Sequence, residues 1–224
     1  FDSVWTKEFQ HIDSTYTRMR GNGLYQGTRW QYRWGAPMYL SRMERLVGRQ
    51  ELLAQLEQFF RDELYNQGNE PDIHVPFLFG RLGAPQLTAP VVRSLATGVV
   101  THRYGGNDAY PQPFVGKAFD NQPRGYCPEM DEDDGAMSAW YVFASIGLYP
   151  VVVGEATYEL FPPLFSRITL YPGGRQKPAV VIRVYGKADG SRPLRRITWN
   201  GRRLKEPRIA HSTLVRGGTL VFHY

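Results

Sequence analysis

At 224 residues the chain can form one large domain or two small ones, and 42% hydrophobic residues against 21% charged mark it as globular rather than disordered. No run is long and apolar enough to span a membrane, and the single cysteine, Cys127, excludes a disulfide within the chain. The net charge of +6 comes from arginines scattered over turns and short strands after residue 165. That pattern describes a basic surface, and charge alone is too little to expect a nucleic-acid partner.

In chain order, the segment from Asp2 to Met19 reads as helical, followed by a long loop from Gly21 to Pro37. Ser41 to Tyr65 is the clearest helix, with Leu46, Leu53, Leu56, Phe60 and Leu64 at helical spacing and charges between them. Thr88 reads as an N-cap with Pro90 just inside, opening a helix towards Tyr104. A second long loop, Gly105 to Met130, leads into a helix from Gly135 to Leu148 that Gly147 and Pro150 stop. Loops of this length inside a folded chain are usually functional.

From Val151 onward the pattern changes. Thr157 to Leu160, Arg167 to Tyr171, Ala179 to Tyr185, Arg195 to Trp199 and Thr219 to His223 are short β-branched or aromatic runs. Gly-rich turns separate them, and Asn200-Gly201 is a hairpin signal. The predicted class is therefore α+β: a helical part over 1–150, then a small antiparallel β unit over 151–224.

Three segments carry candidate chemistry. The first is the aromatic and amide-rich stretch Tyr25-Gln26-Gly27-Thr28-Arg29-Trp30-Gln31-Tyr32. The second is Gly68-Asn69-Glu70-Pro71-Asp72-Ile73-His74. The third is the acidic run Asp131-Glu132-Asp133-Asp134, placed between a turn-rich loop and an apolar helix. Packed acids repel one another, so such a run serves a metal, proton chemistry or the N-terminus of a helix facing water. Five Trp and 14 Tyr supply flat faces on which sugars stack, although core packing is the commoner use of any one of them.

Together these segments resemble glycoside hydrolase family 92, the calcium-dependent, inverting exo-α-mannosidases. The match runs through Asp131 to Tyr141, Gly147-Leu148-Tyr149-Pro150-Val151, Pro163-Leu164-Phe165, Trp199-Asn200-Gly201 and Gly217 to Leu220. The resemblance implies the second half of an (α/α)6 toroid followed by closing strands. It implies that an N-terminal β-sandwich and the first half of the toroid, from the same protein, complete the sugar site. Phe1 is not a natural start, which agrees with a piece of something longer. Family members are mostly bacterial and exported, so a secreted or cell-surface location is expected.

An inverting glycosidase needs one carboxyl as base towards water and another as acid towards the leaving oxygen, roughly 6.5–9.5 Å apart. By resemblance Asp131 and Asp133 are the base candidates, and either fits the role. Glu70 and Asp133 are the expected Ca²⁺ ligands, Glu70 being a hard oxygen donor that could equally cap the neighbouring backbone. Tyr25, Gln26, Thr28, Trp30 and His74 fall where the family contacts substrate. Where the family has a pair of polar residues, this chain has Ile73-His74, so part of the usual leaving-sugar contact is absent.

The departure with most consequence is at Gln26, where the family has its general acid Glu, and at Thr28, where it has Asn. An amide cannot deliver a proton, and general acid help is typically worth ~10²–10⁴-fold. A phosphodiester leaving group needs none, because it departs as a stable anion. Neutral Gln26 and Thr28 can donate hydrogen bonds to its oxygens where a carboxylate would repel it. This matches the branch of the family that removes mannose from mannose-1-phospho-6-mannose caps of N-glycans. The competing readings are an ordinary exo-α-1,2-mannosidase with another acid, such as Glu129, and a glycan-binding pseudoenzyme.

Overall fold

Strong local breakers cut the chain into short elements. The computed structural model describes residues 20–21, 24–25, 27–103, 113–186 and 193–224. The predicted helix between Asp2 and Met19 lies outside the described residues, as does Gln26. By packing, the chain divides into two units: Phe1–Ile73 with Thr97–Met137, and His74–Ala96 with Ser138–Tyr224. The division at about residue 150 is therefore one of sequence pattern, since residues 74–96 group with the strands that follow.

In the first unit, strands β1 (Arg20–Gly21) and β2 (Leu24–Tyr25) pair antiparallel. The loop predicted over 21–37 also holds a helical turn, Arg29–Tyr32, because Thr28 caps it. The single helix expected from Ser41 to Tyr65 is two, Leu40–Val47 and Arg49–Arg61. Gly48, at φ 93°, lies in a region that other residues rarely adopt and breaks the helix, although the apolar periodicity continues across it. Leu52, Leu56 and Phe59 are buried along the second helix, with Trp34 and Tyr65 against Phe59 at ring-centroid distances of 6.4 and 6.1 Å.

The helix opened near Thr88 ends at Thr97 and does not reach Tyr104. Val99–His102 is instead a strand, β3, antiparallel to β4 (Phe114–Lys117). Gly98 breaks the helix, and Val99, Val100 and Thr101 are β-branched. The long loop expected from Gly105 thus contains half of a hairpin.

In the second unit, β5 (Leu148–Tyr149), β6 (Thr157–Leu160) and β11 (Arg208–Ala210) form a three-stranded sheet in the order β11-β6-β5. Strands β7 (Arg167–Leu170), β8 (Val180–Tyr185), β9 (Arg196–Trp199), β10 (Arg202–Arg203) and β12 (Gly218–His223) form a second, ordered β10-β9-β12-β8-β7. The expectation of a purely antiparallel unit fails at one pair. β12 runs parallel to β8, from Gly218 opposite Val180 to His223 opposite Tyr185. It enters between two hairpins, and only a parallel course lets it bond antiparallel to β9 as well.

The hairpin expected at Asn200-Gly201 is present: both residues have positive φ, 47° and 78°, the signature of a type I′ turn between β9 and β10. Val180, Ile182, Ile197, Leu220 and Phe222 line the inner face of this sheet and share a core with Leu148 and Leu160. Phe77 stacks on Tyr149 at 3.8 Å and lies 5.1 Å from Phe161. Arg81 clasps two acids, Glu159 at 2.8 Å and Glu155 at 2.7 Å. Among the described residues no helix is long and apolar enough to cross a membrane.

Candidate active site

Hydrogen bonds tie the three candidate segments together inside the first unit. Thr28 caps the turn Arg29–Tyr32 through a reciprocal pair: its hydroxyl accepts from Gln31 N–H at 2.9 Å, and the Gln31 amide oxygen accepts from Thr28 N–H at 2.7 Å. The other end of the Gln31 side chain bonds Asp72, which is completely buried. Burial pushes the Asp72 carboxyl well up, against the bonds it accepts from Asn66 N–H and Gln31. A side chain at Gly27 would strike Tyr32 at 2.7 Å and Pro71 at 3.2 Å, so glycine permits the close approach of the first segment to the second.

The second and third segments meet more directly. Asp131 N–H donates to Gly68 O at 2.8 Å. Asp134 and Gly135 both adopt left-handed backbone, φ 54° and 75°, which turns the chain sharply between the acids and the helix Ala136–Ile146. A non-glycine residue held there stores strain, a common mark of a functional turn. The result is a convergence: one oxygen from each of Glu70, Asp131 and Asp133 lies within 4.8 Å of the others.

The electrostatics follow from that crowding. The Glu70 carboxyl is pushed up to about 7, first by burial and then by Asp131 and Asp133, against a bond from the Asp133 backbone N–H. Asp131 is also raised, by burial and by Asp133. Glu70 Oε1 is buried without a hydrogen-bond partner among the described residues. An orphaned carboxylate oxygen beside two further carboxylates fits a hard, oxygen-seeking cation better than it fits the chain alone. The Glu70 carboxylate also accepts from its own backbone N–H, which Asn69 Oδ1 shares at 2.9 Å, and from that of Asp133, so a backbone-capping role stands beside the unpartnered Oε1.

Glu70, Asp131 and Asp133 are thus brought together. Thr28 is 2% exposed and its hydroxyl oxygen accepts a bond within the cap, so what the structure shows of it is a support for the turn. Trp30 is 5% exposed and packs in the core. Tyr25 lies in β2. His74 is half-buried at the head of the 3-10 turn Val75–Phe77 and belongs to the second unit. The pairings of Gln31 with Asp72 and of His102 with Glu129 escape a reading of the sequence, because contacts between residues far apart in the chain carry no spacing signal.

The sequence profile of the glycosyl hydrolase family 92 catalytic domain matches residues 2–109 and 104–224. A solved family 92 glycosyl hydrolase superposes with a TM-score of 0.83 at 26% identity, over 94% of this chain and 30% of its own. A family 92 inverting mannosidase of Bacteroides thetaiotaomicron gives a TM-score of 0.67 at 24% identity, over 92% of this chain and 29% of its own, and shares the fold. An uncharacterised secreted glycosidase of Arthroderma benhamiae is 25% identical over 198 residues, 88% of this chain and 23% of that protein. The chain therefore spans less than a third of the length of these relatives.

Proposed function

The chain belongs to glycosyl hydrolase family 92, and on that premise we propose that the whole protein is an inverting α-mannosidase-type hydrolase of mannosyl phosphate. It would release mannose from mannose-1-phospho-6-mannose caps of N-glycans and leave 6-phosphomannose. The observation that carries the hydrolytic reading is the convergence of Glu70, Asp131 and Asp133 from two separate loops. The phosphate specificity rests on Gln26, an amide where the family has its acid.

Water enters beside the acidic turn, and Asp131 or Asp133 removes its proton as its oxygen bonds to the anomeric carbon. The bond from that carbon to the phosphate oxygen breaks on the opposite face, the phosphate monoester departs with the bonding electrons, and the anomer inverts. No proton has to be delivered to such a leaving group, so Gln26 need only donate hydrogen bonds to the phosphate. Glu70 and Asp133 are the proposed calcium ligands, with Asp131 beside them. Calcium, if bound there, would offset the burial and the repulsion from Asp131 and Asp133 that raise Glu70.

Likeness to a secreted glycosidase supports a secreted or cell-surface location. The relatives are three to four times as long, which supports a sugar site completed by a β-sandwich and further toroid helices of the same protein. The reading with Glu129 as acid is disfavoured, because that side chain is 3% exposed and bonded to His102.

The test uses the complete protein with calcium on mannose-1-phospho-6-mannose and on α-1,2-mannobiose, beside Gln26→Glu. Fast mannose release from the phosphodiester alone, lost in Gln26→Glu, is expected. Efficient cleavage of mannobiose by the unaltered protein would refute the missing-acid argument, and no turnover of either substrate would favour a binding module.

A further inference from the structure

We propose that His102 and Glu129 are positioning residues that hold the 66–70 loop, and through it Glu70, in register with Asp131. The proposal rests on the reading of Glu70, Asp131 and Asp133 as the hydrolytic site and extends it to a buried pair outside those three carboxylates.

Gln67 N–H donates to His102 Nε2 at 3.2 Å. A ring nitrogen that accepts carries no proton, so the imidazole proton resides on Nδ1. His102 Nδ1 then donates to Glu129 Oε1. Two residues further on, Asp131 N–H donates to Gly68 O at 2.8 Å. These bonds close a ring: Gln67 to His102, His102 to Glu129, along the chain to Asp131, and back to Gly68. The ring joins β3 and the two loops that carry the carboxylates, and Glu70 leaves it two residues beyond Gly68.

Its core is buried. His102 is 1% exposed and Glu129 3%. Tyr65 OH donates to Gln67 Oε1 at 2.7 Å, and Gln67 itself is completely buried. Gly68 N–H donates to Asn66 Oδ1 at 2.7 Å, which fixes the loop from its other side. A Cβ at Gly68 would lie 3.0 Å from Asn66 Oδ1, 3.4 Å from Glu129 Oε1 and 3.5 Å from His102 Nδ1. The backbone therefore rests directly on the pair. Groups behind metal ligands typically change affinity or activity by about 10–100-fold when lost.

Glu129→Gln keeps an oxygen for the Nδ1 proton, whereas Glu129→Leu removes it. The complete protein is compared in three ways: amide exchange of the 66–72 peptide without calcium, calcium binding by calorimetry, and kcat against KM on the mannosyl phosphodiester. Expected for Glu129→Leu is faster exchange at Gln67, calcium affinity weaker by about 10–100-fold and a fall in kcat at similar KM. Expected for Glu129→Gln is near-complete rescue of all three. Gly68→Ala, which leaves both partners in place but crowds them, is expected to weaken calcium binding in the same direction.

Unchanged exchange in Glu129→Leu would overturn the proposal, as would equal damage from Gln and Leu, which would put Glu129 itself in the chemistry. Glu70→Gln is the control for the underlying reading. If it leaves calcium binding and turnover intact while Glu129→Leu still loosens the loop, the assignment of the site is wrong and the ring is right.

Discussion

Arg81→Met offers a sharp test of the electrostatics inside the second unit. Arg81 is 12% exposed and bonds Glu159, which is 3% exposed, at 2.8 Å. Arg208 Nε is the other cation near Glu159, at 3.6 Å. Burial pushes the Glu159 carboxyl up to about 7 from 4.5, against the pull of Arg81 and Arg208. A carboxyl raised by folding contributes most to stability below its unfolded value, and that contribution is lost as pH rises through the folded one. At pH 5 Glu159 is therefore neutral with or without Arg81, and the substitution costs about 1–2 kcal/mol for the lost hydrogen bonds to Glu159 and Glu155. At pH 9 the parent pairs an ionised Glu159 with Arg81, while the variant strands most of that charge, at about 3–5 kcal/mol. For a chain of this size each kcal/mol moves Tm by about 2–4 °C. Thermal unfolding should then drop by about 2–8 °C at pH 5 and about 6–20 °C at pH 9. Arg81→Met with Glu159→Gln should recover most of the pH 9 loss. Equal losses at the two pH values, or no recovery in the double variant, would refute the reasoning.

Glu70→Gln should weaken calcium binding by about tenfold or more, yet raise Tm in chelator by relieving repulsion with Asp131 and Asp133; paired melts with calcium and with chelator read both effects. Of Asp131→Asn and Asp133→Asn, one should lower kcat by about 10²–10⁴-fold with little change in KM, and steady-state kinetics then identifies the base; mild, equal effects would count against both. Gly147→Ala should destabilise by about 2–4 kcal/mol, because φ is 79° and the new methyl would meet Phe161 O at 2.4 Å; chemical denaturation measures it.

Legibility in the sequence followed the range of the forces. Strands β6 to β9 and β12 lie within a residue or so of their predicted bounds, because β-branched runs and turn glycines are local signals. The helix over 41–65 was read as continuous since Leu46, Leu53 and Leu56 keep their spacing through Gly48, and one backbone angle outweighs that rhythm. The parallel pairing of β8 with β12 had no local signature at all. Asp131 and Asp133 were visible as clustered charge between unlike neighbours, and Glu70 through the resemblance of its Gly-Asn-Glu-Pro segment to the family. The pairings of His102 with Glu129 and of Gln31 with Asp72 were not, since each joins polar residues far apart along the chain.

Strand β12 sits at the centre of its sheet, between β9 and β8. Without it the sheet separates into two hairpins, β7-β8 and β9-β10, that share no bonded edge. Each hairpin can form from near neighbours, but two-stranded hairpins are marginal alone in water. Their union waits for residues 218–223, which must close over the whole span from 186 to 217. During synthesis these two hairpins therefore expose the unpaired edges of β8 and β9 until β12 is made. Those edges make the hairpins the stretch most exposed to mispairing with another copy.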